Sequence, residues 1–205
     1  MPRGRHAGPQ LIPVRTRSAS HAAGPARWPR VAILLHAVTA GLALATALYG
    51  LWLLSPPEWS APYVARYMAG IPFHKAGGIA AFAFALAWGG TRLSLGRPPR
   101  PGGAWTQGAA RVVHGALFLL LLALPVTGYL ADTLSGSALL LPGGIMVPRV
   151  LPADPAWSIA FSYCHKWGGF ALLALAGLHL AGAARHFLAA RIAAARPAAN
   201  EPGAD

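Results

Sequence analysis

The stretch IAFSYCHKWGGFALLALAGLHLAGAARHFL, residues 159–188, decides how this chain folds. It is an almost unbroken apolar run carrying two histidines, His165 and His179, fourteen residues apart. At about 3.6 residues per turn, fourteen residues come within about 40° of four full turns, so both imidazoles fall on one helix face. At about 1.5 Å per residue they lie about 21 Å apart along the axis, most of a bilayer's hydrocarbon thickness of about 30 Å. One helix therefore presents an imidazole near each side of a membrane, a ladder of ligands more than a single site.

The composition agrees with that setting. Of 205 residues only 17 are Lys or Arg and 5 are Asp or Glu, while 55% are hydrophobic. The mean hydropathy is +0.47, far from a soluble balance. A net charge of +12 invites a nucleic-acid reading. The arginines instead cluster in the N-terminal arm, one linker and the C-terminal tail, with long uncharged runs between, which is how a membrane protein deploys charge. No nucleic-acid partner is expected. The lone cysteine, Cys164, allows no intrachain disulfide, and no C-x-x-C-H stretch offers covalent haem attachment. Cys164 is read as a small buried side chain on a packed helix, in preference to a ligand or redox thiol.

Outward from the opening stretch, the chain divides into a basic N-terminal arm (1–30) expected to be disordered, a membrane domain (31–192) and a tail (193–205). The first apolar run begins only at Val31, too late for a signal peptide. Four apolar stretches are each long enough to cross a bilayer as a helix: 31–54 with His36, 73–95 with His74, 109–130 with His114, and 159–188. The fold class that follows is all-α, an integral membrane four-helix bundle. Thirteen basic residues fall in the arm, the linker between the second and third helices and the tail, against four (Arg66, Lys75, Arg149, Lys166) in the other two connections. The positive-inside rule then places both termini in the cytoplasm. The long third connection leaves room for a short re-entrant or surface helix. No internal repeat, nucleotide-binding loop or soluble catalytic domain is visible.

Six of the eight histidines lie in or at the ends of the helices; His6 and His21 belong to the arm. An ionisable side chain inside a membrane is costly and marks a functional site by default. Depth pairs them. His36 lies six residues after Arg30 and His179 six before Arg185, each about 9 Å inside a basic boundary on the cytoplasmic side. His74 and His165 open the second and fourth helices on the opposite side. Each pair offers two imidazoles from facing helices, which is what a six-coordinate haem iron needs on its axial faces, whereas structural zinc would want four ligands in one cluster. His186, seven residues past His179, is a rival ligand, taken here as an interfacial residue near haem propionates or a quinone head group. His114 has no opposite number at its depth. It is read as a satisfied interhelical histidine, with a hydrogen-bonding or proton-handling role beside the cytoplasmic haem as the alternative. Gly77-Gly78 and Gly168-Gly169 would either let something bulky approach the backbone or serve helix packing alone.

Over residues 31–190 the chain resembles the bacterial cytochrome b561 family of four-helix membrane cytochromes. The resemblance is carried by His36, by His74 with Gly78, and by His114 leading to Leu124-Pro125-Val126-Thr127-Gly128. It continues through His165 and His179 to Ala183-Ala184-Arg185-His186-Phe187. It implies two b haems, each held by a histidine pair near one membrane face, in the inner membrane of a bacterium. The chain departs from the family in its long basic arm and in carrying Ala37 where an aromatic residue often follows the first histidine.

The resemblance further implies electron transfer between a donor or acceptor on the outer side and membrane quinone. Some family members are similar in function to superoxide oxidases, which pass electrons from superoxide to ubiquinone. Lys75 and Lys166, each directly after an outer histidine, are read first as interfacial anchors. Their functional alternative is a positive patch that meets propionates or draws in an anionic reductant. A second hypothesis is a cytochrome subunit anchoring a separate dehydrogenase or hydrogenase. A third and weaker one is a metal-handling transporter without haem.

Overall fold

The structure is a computed structural model that describes residues 29–55, 60–95 and 103–195. The basic arm through residue 28 and the tail from residue 196 lie outside the described residues, as do Arg97 and Arg100 of the linker. Four helices follow one another: α1 Arg30–Leu53, α2 Ala61–Leu95, α3 Ala104–Leu134 and α4 Pro155–Ala195. All four are long and apolar enough to cross a bilayer, where a helix is one of the few structures that satisfies its own backbone. The chain is an all-α membrane bundle.

Helix ends are where the structure departs from the sequence reading. α2 begins twelve residues before the expected start at Phe73, and Pro72 lies inside it. Its first turn is tied back to Ser60, whose Oγ accepts from the Tyr63 N–H at 3.4 Å. The Ser60 carbonyl accepts from the Val64 N–H at 3.0 Å. Proline at position 72 removes one helical hydrogen bond, and α2 runs through it pressed against α1. A Cβ at Gly70 would lie 2.4 Å from a Leu53 methyl and 2.8 Å from the Tyr49 hydroxyl. α4 begins four residues before Ile159, capped by Asp154, whose Oδ1 accepts from the N–H groups of Ala156 and Trp157 at 3.1 and 3.2 Å. Pro155 supplies the first helical residue, where its missing N–H costs nothing.

Where the sequence leaves room for a short re-entrant or surface helix, the α3–α4 connection forms a short antiparallel hairpin. β1 (Leu139–Leu140) pairs with β2 (Met146–Val147) across one 3₁₀ turn at Pro142–Gly144. Gly143 and Gly144 take φ of 79° and 78° there, a conformation that side-chain-bearing residues avoid. The hairpin end of α4 is fastened to α3: the Asp154 N–H donates to the Leu134 carbonyl at 2.9 Å and the Ser158 hydroxyl to the Ala131 carbonyl at 2.8 Å.

α1 packs along α2 and α3 along α4, while α2 and α3 meet more sparsely and α1 and α4 scarcely touch. The bundle is thus two helical hairpins set side by side. Close approach within each relies on small residues, with Ala81 and Ala85 of α2 almost wholly buried. Large apolar side chains such as Leu34, Val112, Leu119, Leu178 and Leu180 point outward, as suits a surface bathed in lipid. Cys164 is exposed, correcting the expectation of burial. The face of α4 turned to α3 carries His165, Gly168 and Leu172, and Cys164 lies off it.

The two hairpins also correspond position by position, a repeat the sequence reading missed. His36, Thr46 and Gly50 on α1 have the spacing of His114, Leu124 and Gly128 on α3. His74, Gly77, Gly78 and Trp88 on α2 have the spacing of His165, Gly168, Gly169 and His179 on α4. The contacts repeat as well. A Cβ on Gly77 would meet the Thr46 side chain at 2.5 Å, and one on Gly168 would meet Leu124 at 2.9 Å.

Candidate functional site

The histidines gather at two levels. At the level beside the β-hairpin, His74 and His165 face each other with ring centres 5.9 Å apart and planes 83° apart. Each leans on the other helix of its own hairpin. His74 Nδ1 lies 3.0 Å from the Thr46 carbonyl, and His165 Nδ1 lies 2.9 Å from the Leu124 carbonyl. A carbonyl only accepts, so Nδ1 carries the proton in both rings and Nε2 keeps its lone pair. Glycines make room for this. One turn beyond each carbonyl, a Cβ at Gly50 would sit 2.6 Å from His74 Cε1, and one at Gly128 would sit 3.0 Å from His165 Cε1 and Nδ1.

At the level beside the chain termini, His36 and His179 have ring centres 6.1 Å apart and planes 79° apart. His114 joins them, its ring 4.9 Å from that of His179 and its Nδ1 bonded to the Ala110 carbonyl of its own helix. Trp88 lies 5.6 Å from His36, and the Arg92 guanidinium covers Trp88 at 5.3 Å. Ala32, Ile33, His36, Trp88, Arg92, His114 and His179 line a cavity of about 260 Å³.

Both depth pairings expected from sequence are therefore brought together. His114, expected to stand alone at its depth, sits beside His179. His186 lies on the exposed end of α4 and is not among the cavity's lining residues. Lys75 is ion-paired with Asp132 of α3, a partner the sequence reading did not identify, and Lys166 is exposed. The glycine pairs divide their labour. Gly77 and Gly168 abut the neighbouring helix, while Gly78 and Gly169 have no atom within 4 Å of where a Cβ would stand. Each of these open glycines is one turn past a histidine, His74 or His165. Trp88, Arg92 and the two carbonyl acceptors escaped the sequence reading, the carbonyls because every residue has one.

The donor set fits a flat group with a metal at its centre. Two imidazoles bound on opposite sides of one metal through bonds of about 2 Å place their ring centres about 6 Å apart, as His74–His165 and His36–His179 are. The 4.9 Å of His114–His179 is too short for that. Nδ1–H bonded to a carbonyl, with Nε2 presented, is how metal-ligating histidines are oriented. Among the described residues, no three His, Cys, Asp or Glu side chains converge on a point that could hold a bare metal ion.

The sequence model described as prokaryotic cytochrome b561 matches residues 27–196. The chain matches no curated protein. The match spans all four helices and their six histidines, and the chain belongs to the prokaryotic cytochrome b561 family, as a multi-pass membrane protein of b-type haem electron transfer.

Proposed function

We propose that this protein is a diheme b-type cytochrome of the bacterial inner membrane, carrying electrons between a donor or acceptor on the periplasmic side and membrane quinone. The observation that carries the reading is the pair of two-imidazole sites, His74–His165 and His36–His179, at opposite ends of one bundle. Bound haem supplies one-electron chemistry at its iron. The chain's own residues do the rest. His74 and His165 ligate at the hairpin level, and the Thr46 and Leu124 carbonyls fix their rings. His36 and His179 ligate at the terminal level. Gly78 and Gly169 leave the helix surface bare where a flat group can lie against the backbone. The fourteen residues between His165 and His179 hold the two sites about 21 Å apart along α4. The thirteen-to-four distribution of basic residues supports a cytoplasmic location for both termini and hence for the terminal level. His186, on the exposed end of α4, is assigned to the interface, beside haem propionates or a quinone head group.

Exposed Lys166, directly after His165, favours an anionic donor such as superoxide at the outer level. The exposed α4 extension, with Phe187, Leu188 and Ile192 on its surface, supports the alternative of an anchor for a separate redox subunit. Copurification of such a subunit, against quinone reduction by the protein alone, separates the two. The diheme reading itself is tested by a pyridine haemochrome spectrum with stoichiometry. Two haems b per chain are expected. A protein inserted in membranes without a b-type band would end the reading.

A further inference from the structure

The two levels hold their histidines differently, and the difference assigns a task to His114. At the hairpin level each ring has a backbone carbonyl on its Nδ1, and α3 supplies the one for His165 through Leu124. At the terminal level α3 places His114 against His179, with ring centres 4.9 Å apart and planes 78° apart. Two imidazoles joined by an N–H···N bond of about 2.9 Å have their centres about 5 Å apart. The tautomer of His114 is set by its own helix: Nδ1 donates to the Ala110 carbonyl, so Nε2 can only accept. Of the remaining polar side chains lining this cavity, Trp88 and Arg92 are donors alone. His36 would itself hold the haem with His179.

We infer that His114 is a positioning residue for His179: its Nε2 accepts the Nδ1–H of His179, doing with a side chain what the Thr46 and Leu124 carbonyls do for His74 and His165. The repeat sharpens the point. His114 occupies in the second hairpin the place that His36 holds in the first, yet at 4.9 Å it stands too close to His179 for the two to hold one metal from opposite sides. One copy of the position serves as ligand and the other as the ligand's support. The inference rests on the reading of His179 as a haem ligand.

An acceptor on Nδ1–H raises the basicity of a ligating imidazole and so favours the ferric state. The test compares His114→Leu, which removes the acceptor, with His114→Gln, whose Oε1 restores one at similar reach. Both are made in the full haem-loaded protein. Haem stoichiometry, the midpoint potential of each haem and the low-spin ferric spectrum are read. In His114→Leu the terminal-level haem is expected to lose about tenfold of its ferric-over-ferrous preference, about 59 mV upward for one electron. The hairpin-level haem should not move, and His114→Gln should lie close to the parent. Loss of the terminal haem from the Leu variant with retention in the Gln variant at near-parent potential also supports the inference. Loss from both variants would make His114 a ligand or packing residue and overturn it. So would an unmoved potential in the Leu variant, or a Gln variant shifted as far as Leu. Failure of the underlying reading is distinguishable: there, His179→Ala would leave both haems in place.

Discussion

The hairpin level and the terminal level of this bundle offer the same pair of imidazoles and support them by opposite means. His74 and His165 rest on carbonyls that the helices present whatever their side chains, and glycines clear the space around them. His36 and His179 stand among side chains, with His114, Trp88 and Arg92 around a cavity of about 260 Å³. A carbonyl survives substitution of the residue that carries it, so the hairpin-level support depends on its side chains only through the glycines that clear space for the rings. A side-chain support is lost when its own residue is substituted, so the two levels fail by different mutations: a gained methyl at one, a lost acceptor at the other. The repeat explains how both arise from one plan: Trp88 stands where the second hairpin has His179, and His36 where it has His114.

The largest effects should come from the ligands and should respect the levels. His74→Ala or His165→Ala should halve the haem content by emptying the hairpin level, while His36→Ala or His179→Ala should empty the terminal level. Difference spectra on purified protein, with membrane insertion verified, read this directly. If any one of these removes both haems from an inserted protein, the two levels are not independent. If His186→Ala removes the terminal haem and His179→Ala does not, the terminal pairing is wrong.

A smaller effect tests the backbone support. A methyl at Gly50 would fall 2.6 Å from His74 Cε1 and 2.8 Å from Nδ1, closer than any real contact allows. Ring or backbone must shift, which disturbs the contact between His74 and the Thr46 carbonyl. At Gly128 the clash is 3.0 Å, which a shift of a few tenths of an ångström relieves. Gly50→Ala should therefore weaken haem retention at the hairpin level by about tenfold, the scale of a lost supporting hydrogen bond. Gly128→Ala should keep the haem with an altered ferric spectrum, and the terminal haem serves as internal control in both. Equal effects of the two substitutions would show that the cradle, as drawn, does not hold the ligands.

What was legible in the sequence was whatever a side chain announces. Apolar length marks the four crossings, and arginine boundaries give His36 and His179 their depth, whereas His74 and His165 are paired only by opening the second and fourth helices on the other side. The helix ends were misread at Phe73 and Ile159. Pro72 reads as a helix boundary in sequence but lies inside α2, where packing against α1 overrides it, and Asp154 before Pro155 is the cap that starts α4 ahead of Ile159. Cys164 was assigned to the interior by a rule for proteins in water, whereas in lipid an apolar outer face is ordinary. The repeat is legible too, in His36 and His114, Gly50 and Gly128, and His74 and His165 with their Gly-Gly pairs; it is obscured only where Thr46 corresponds to Leu124 and Trp88 to His179. His114 and Lys75 had partners that only the fold supplies.

The smallest expected effects concern charge at the hairpin level, where two lysines follow the two histidines but meet different fates. The charge of Lys75 is already balanced by Asp132, with both side chains mostly buried at 19% and 24% exposure, whereas Lys166 is exposed. An approaching anion therefore feels Lys166 more than Lys75. Lys166→Gln should slow reduction by an anionic reductant such as ascorbate by about two- to threefold at 0.01 M salt, where screening reaches about 30 Å. At 1 M salt, where it falls to about 3 Å, the difference should vanish. Lys75→Gln should matter less, and Asp132→Asn should act in the opposite direction by leaving Lys75 unbalanced. Stopped-flow reduction rates across ionic strength give all three signs. A loss in Lys166→Gln that persists unchanged at high salt would mean that Lys166 packs or anchors and does not steer. The difference between the two lysines would then lie in structure alone.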